Sequence, residues 1–383
     1  MIDAAERRRA VSGNATASGS SAPVLPIQVQ ATGDMAAVLQ ELGIALAVAS
    51  YQASRVIVIS ADTAGLTVLP RSFDKPMSLA STDGRLAIAT RNELVVLSAS
   101  DALAAGYPRA PDTYARLWLP RSVRFTGEID LHDIAFAGDT VVGAATRFSC
   151  LARLDDRASF TPLWRPPFVS DLVPDDRCHL NGMALDAAGA PRFATALGAT
   201  DTAEGWRAGR TGGGVLISVP DGGIVLDGLC MPHSPRLFGG VLHVLNSGAG
   251  EVIRVESAGR ATVLARLSGY TRGLVAQRDI LFVGLSRLRD RHGAGRDPLP
   301  VEADTVSCGV VALEATTGHV LGRLDFAGGI DEISDLAVLS GAGRHGILNH
   351  SEPGHRAALA LPEQGFWAQP GPGGQALPSD NTP

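Results

Sequence analysis

The chain has 383 residues, 45% of them hydrophobic and 19% charged, so it can bury a large core, and its length allows one large all-β domain or two ordinary ones. Its net charge is −6, aromatics supply only 5% of the residues and the one basic block, ERRRA at Glu6 to Ala10, is short, so nucleic acid is excluded as a partner for want of a phosphate-tracking or base-stacking surface. Lys75 is the only lysine, and a Schiff-base mechanism would have to use it.

In chain order, Met1 to about Gly33 is rich in small polar residues, and a disordered tail is expected over residues 1–34. That stretch has no apolar secretory core, and no run reaches the roughly 18 residues of a spanning helix, so the expectation is a soluble cytoplasmic protein without a membrane partner. Met35 to Leu42 has helical spacing, and IALAVAS, RVIVISA and LTVLP then read as strands. From Met77 the pattern MSLAS, TDG, RLAIATR, NE, LVVLSAS is three strands joined by tight turns. Comparable units begin near Asp130, His179, His233, Thr271 and Ile333, roughly 40 to 60 residues apart, which is the period of propeller blades. The last unit runs out of strands while the first strands of the chain are unclaimed. The fold read from this is all-β, a six-bladed β-propeller over residues 35–362, with its ring closed by N-terminal strands pairing with the C-terminal blade. A β-sandwich would be overfilled by six units. The Pro/Gly-rich residues 363–383 are expected to form a second disordered tail.

Two polar insertions, Ala199 to Gly213 and Arg287 to Ser307, follow the second strand of their units and are expected as loops rimming a binding mouth. The four cysteines are far apart, form no C-x-x-C pair and adjoin strand-like runs, as buried thiols in a reducing compartment do. His243 lies mid-strand and reads as a core histidine. His292, His319, His345, His350 and His355 lie in loops or late in the chain and carry no role.

In a propeller the first strand of each blade lines the central channel, so the residues at its entrance converge. Here they are Met77 and Ser78, His132 and Asp133, His179 with Asn181, His233 and Ser234, Thr271 and Arg272, and Asp331 and Glu332 with Asp335. One reading is a metal site in which His132, His179 and His233 leave an open position for water or substrate. Arg272, with Asn181, would then hold the substrate's anionic group, and Glu332 or Asp335 would act as general base. The other reading is turn chemistry at a wet channel mouth. Against the metal stand the lack of a contiguous H-E-x-x-H motif and the registers: His132 lies two residues before Ile134, whereas His179 lies four before Met183, with Asn181 in the matching slot.

The stretches DLHDIAF, TRFSCLARLD, WRPPFVS, DRCHLNGMAL, MPHSPR and GYTRGL together resemble a family of bacterial conserved proteins of uncharacterised function. The resemblance implies a propeller-like fold and weight on His132, His179, Asn181, His233 and Arg272. More distantly, the N-G-x-A pattern at Asn181 to Ala184 is similar to the regucalcin and gluconolactonase propellers, which hold a divalent cation with Glu, Asn and Asp. This chain departs from them in bringing histidines. A three-histidine zinc in the peptide-amidating lyases, also six-bladed propellers, is an analogy of architecture.

The expected function is therefore a metal-dependent lyase or hydrolase, or with a redox metal an oxygenase, acting on a small polar or peptide-derived substrate at the channel mouth. Its cofactor would be a divalent metal ion, with zinc, iron, copper and calcium not distinguished. The alternative is a non-catalytic propeller binding a glycan, peptide or protein. The sequence assigns no oligomeric state.

Overall fold

The computed structural model describes residues 27–287, 307–362 and 364–368. Six sheets stand around one axis. Their inner strands, taken here as blades I to VI, are Ser78–Thr82, Leu131–Ala137, Leu180–Leu185, Pro232–Phe238, Tyr270–Gln277 and Asp335–Ser340. The architecture is the six-bladed β-propeller that the repeat spacing implied. Blade VI closes the ring: Asp335–Ser340 pairs antiparallel with Ile44–Ser50, from Ile44 opposite Ser340 to Ala49 opposite Asp335, and Arg55–Asp62 and Gly65–Ser72 complete the sheet.

Ile44–Ser50 is buried at every position because both of its faces are covered by neighbouring blades, so it reads as a continuous apolar run. The two-residue period divides it: Ala45, Ala47 and Ala49 pack with Leu79, Ile88 and Trp118 of blade I, while Ile44, Leu46 and Val48 pack with Phe282 and Phe326 of blade V. Small residues on one face let that blade approach closely. The helix Met35–Leu42 buries Met35, Val38, Leu39 and Leu42 in the blade V side of this core and ends at Gly43, which holds the left-handed φ of 64° that a helix terminus favours.

Within the ranges 1–34 and 363–383, where tails are expected, the described residues include two strands. Gln28–Gly33 is a strand pairing antiparallel with Val320–Gly328 on the outer edge of blade V. Its residues are polar because an edge strand is held by backbone hydrogen bonds and needs little burial. Gly365–Trp367 pairs with Ala358–Ala360, and the Trp367 ring lies 5.3 Å from that of Tyr107.

Side chains of the inner strands tie neighbouring blades together. Asp335 Oδ2 accepts from Ser78 Oγ at 2.7 Å and from the Leu79 N–H at 2.9 Å, and Ser78 Oγ accepts from the Ile134 N–H at 3.0 Å. Asp133 Oδ2 accepts from the Met183 N–H at 2.9 Å, and Ser234 Oγ accepts from the Gly273 N–H at 3.2 Å. Arg236 crosses this belt with a two-pronged pair to Asp133 at 2.7 and 2.9 Å.

Candidate functional site

Three blades are entered through a residue in the left-handed region: Asp130 at φ 59°, His179 at φ 52° and Met231 at φ 51°. This answers the register question. His132 and His233 each follow that turn by two residues, and the residue two after His179 is Asn181. The ring nitrogen Nδ1 of His132 lies 3.4 Å from the Asp130 carbonyl, and that of His233 lies 2.9 Å from the Met231 carbonyl. Each imidazole thus stands against the carbonyl of its own turn. His179 occupies the turn position itself and still meets His132: their rings are 4.7 Å apart, edge to face.

Nδ1 of His179 lies 2.8 Å from Asp176 Oδ2, so it carries the proton and donates it, leaving the lone pair on Nε2. The Trp206 indole lies 4.3 Å from the His179 ring, and its N–H donates to the same Asp176 oxygen at 3.0 Å. Trp206 comes from the Ala199 to Gly213 insertion, which therefore does reach the mouth. Residues 288–306 of the second insertion lie outside the described residues. His233 Nδ1 must likewise donate to the Met231 carbonyl, with Ser247 Oγ at 3.1 Å and Tyr270 Oη at 3.4 Å beside it.

Arg272 joins the cluster from blade V, its Nη2 3.0 Å from the Met77 sulfur and its Nη1 3.9 Å from Glu332 Oε1. Its charge and the burial of the rings govern the imidazoles. Burial, and then Arg272, keep His233 well below the ordinary histidine pKa, and burial pushes His132 down to about 3 against the pull of Asp130. Burial also holds the Tyr270 phenol above its ordinary value. The mouth thus combines a guanidinium with the uncharged imidazoles of His132 and His233 and a protonated phenol.

Of the expected site residues, His132, His179, His233, Arg272 and Glu332 come together here. Asn181 is turned away from the mouth into the blade wall, where its amide donates to the Pro232 carbonyl at 3.0 Å and accepts from Thr195 Oγ1 at 2.8 Å. Asp335 also stands apart from the mouth residues. It lies one level deeper, its oxygens taken by Ser78 Oγ, the Leu79 N–H and the Leu336 N–H, and burial raises its pKa to about 6. Among the described residues no three His, Cys, Asp or Glu side chains are arranged to hold a metal ion. The histidines converge, but the braces on His132 and His233 set their rings by local turns.

Sequence reasoning missed Asp176, Trp206 and Tyr270. Asp176 was open to detection, since a carboxylate three residues before His179 is within reach once the chain turns. His243 is buried as expected, 5.9 Å from the Phe238 ring. All four cysteines are buried, and burial pushes the Cys150, Cys178 and Cys308 thiols up to about 12 and Cys230 to about 11, so none is a ready nucleophile. Among the described residues no helix is long and apolar enough to cross a membrane.

A family profile described as "Domain of unknown function (DUF4915)" matches residues 33–348. No curated protein matches the chain in sequence. Among solved structures, the nidogen/laminin complex contains a chain matched at 11% identity and a TM-score of 0.47, covering 78% of this chain and 100% of that one. A Bacteroides uniformis protein proposed to be a 6-phosphogluconolactonase matches at 12% identity and 0.42, over 77% and 99% of the two chains. An inactive virginiamycin B lyase variant from Staphylococcus aureus, bound to quinupristin, matches at 11% and 0.38, over 79% and 100%. The likeness is one of fold.

Proposed function

We propose that this chain, which belongs to the DUF4915 family, is an enzyme whose channel mouth performs general acid–base chemistry, hydrolysis or elimination, on a small anionic substrate. The observation that carries this reading is the Asp176–His179 pair at 2.8 Å, set against His132, whose imidazole feels the charge of Arg272. Asp176 fixes the His179 tautomer, so Nε2 is free to take a proton from water attacking an acyl carbon, or from a carbon beside a carboxylate. It then returns that proton to the leaving group. Arg272 holds the substrate's carboxylate, and Trp206 shields one face of the base. Tyr270, kept protonated by burial, is a donor for charge that develops on oxygen.

The test is turnover of a panel of carboxylate-bearing esters and lactones, followed by pH-stat, with elimination followed by proton NMR. His179→Gln should lower kcat by about 100-fold or more with the melting temperature unchanged. Arg272→Gln should act chiefly on KM. Turnover that survives both His179→Gln and Asp176→Asn would refute the assignment, and tight binding without turnover would make the channel a binding module.

A divalent metal remains the second reading because Nδ1 of each of His132, His179 and His233 faces an oxygen, the arrangement that frees Nε2 for a ligand bond. Those three side chains do not stand as a preformed ligand set, so they would have to draw together to hold the ion, which would supply an activated water. Elemental analysis of untagged protein tests it: one ion per chain, lost in each His→Ala variant, supports the metal, and well under one ion contradicts it.

A further inference from the structure

A second cavity, of about 220 Å³, opens beside the imidazole cluster, its walls including Lys75, Arg147, Glu128 and Asp130. It is continuous with the mouth. Met77 lines it while contacting Arg272, and Asp130 lines it while its Oδ1 lies 3.4 Å from His132 Nδ1. The walls carry both signs of charge: among the described residues no salt bridge joins Lys75 or Arg147 to a carboxylate, and Glu128 acts on Arg91 only through its field, without a salt bridge. Arg91, also on the wall, is committed to Asp74 at 3.0 and 3.3 Å. The Lys75 ammonium instead lies 5.0 Å over the Tyr51 ring, 3.4 Å from its hydroxyl, on a backbone at φ 48°. A bulky residue held in that region is a strained feature of the kind that accompanies ligand sites.

The geometry points to a subsite for a small zwitterion, an ammonium and a carboxylate on one carbon, as at the free α-amino-acid end of a larger substrate. A ligand carrying both charges meets the cations and the carboxylates of this one cavity together, displacing the water that solvates the exposed Glu128 and Arg147. A singly charged ligand leaves one set unmatched. The volume suits an amino-acid group and little more, so the rest of the substrate passes over Met77 to the imidazoles. The inference rests on the acid–base reading for what happens there: binding energy from this remote end would position the reacting group beside His179.

Lys75 is the only lysine of the chain, so protein labelled with ¹³C-lysine gives one side-chain signal that reports on this cavity alone. The probes are alanine, N-acetylalanine and alaninamide, which carry both charges, the negative charge and the positive charge respectively. Alanine should shift the Lys75 signal saturably, and each singly charged analogue should bind at least about tenfold more weakly. Glu128→Gln and Arg147→Gln, both at exposed positions, should each weaken alanine about tenfold, with an unchanged melting temperature. His179→Gln should leave the alanine titration unaltered, so a failure of the proposed chemistry and a failure of this subsite are separable. The absence of a saturable shift with alanine, equal binding of N-acetylalanine, or unchanged binding in Glu128→Gln would overturn the proposal.

Discussion

Replacing Arg236 by methionine removes the one guanidinium in the belt that ties the inner strands together. It contacts Asp133 at 2.7 and 2.9 Å and is among the groups that hold down the pKa of Asp335, which burial has raised to about 6. Without it two carboxylates share a buried site. Breaking a buried pair from one side costs about 3–5 kcal/mol, and for a chain of this size that lowers Tm by roughly 4–7 °C. The loss should depend on pH in a definite sense. A carboxylate whose folded pKa stands above its unfolded value binds more protons in the folded state, so its cost is present above the folded pKa and is relieved as pH falls through it. Arg236→Met should therefore recover part of its lost stability between pH 7.5 and pH 5, relative to the parent. Adding Asp133→Asn should recover part of it at pH 7.5. Urea unfolding of the four proteins of this cycle at both pH values is the assay. A loss under about 1 kcal/mol, or one equal at both pH values and unmoved by Asp133→Asn, would refute the reasoning.

Truncation before Asp335 should leave the fully buried Ile44–Ser50 strand without its inner partner and give aggregated protein by size-exclusion chromatography; a soluble product with a cooperative melt would contradict ring closure. Gly182→Ala should destabilise by about 1–3 kcal/mol in urea, because a Cβ there would stand 2.5 Å from both Pro235 Cδ and Thr195 Oγ1. Burial holds His132 at about 3, His345 at about 4, and His233 and His243 below their ordinary 6.5. Groups depressed in the folded state give up stability as pH falls below the unfolded value, so His132 and His345 should each cost about 1 kcal/mol by pH 5.5, opposing the gain from Asp335. A His345→Gln variant with the same acid sensitivity as the parent would contradict this for His345, whose ring is held by the Trp118 N–H at 3.2 Å and the Gly341 carbonyl at 2.9 Å.

The propeller was legible because its blades announce themselves locally: a turn pair such as Asp83–Gly84 between apolar runs marks a hairpin, and six such units, the last short of strands while the first strands of the chain are unclaimed, imply closure. The tail boundaries were less so, since Gln28–Gly33 is a polar strand held at a sheet edge by backbone bonds that composition does not reveal. At the site the convergence of His132, His179 and Arg272 followed from blade geometry alone. The roles of Asn181 and Asp335 did not follow, because one is turned into the wall and the other sits a level deeper, and depth along a channel depends on the left-handed turns at Asp130, His179 and Met231. Trp206 was hidden because a residue in a long insertion has no register to place it.

The most direct test of the acid–base site is the nitrogen-15 spectrum of the histidine side chains, assigned by substitution and recorded with and without a small dicarboxylate such as succinate. The account predicts that His179 and His233 carry the proton on Nδ1, that His132 and His233 are still uncharged at pH 5.5, and that succinate shifts the His179 Nε2 resonance in the parent but not in Arg272→Gln. Protonation of His132 and His233 near pH 6.5, or a His179 proton on Nε2 with no response to succinate, would contradict it.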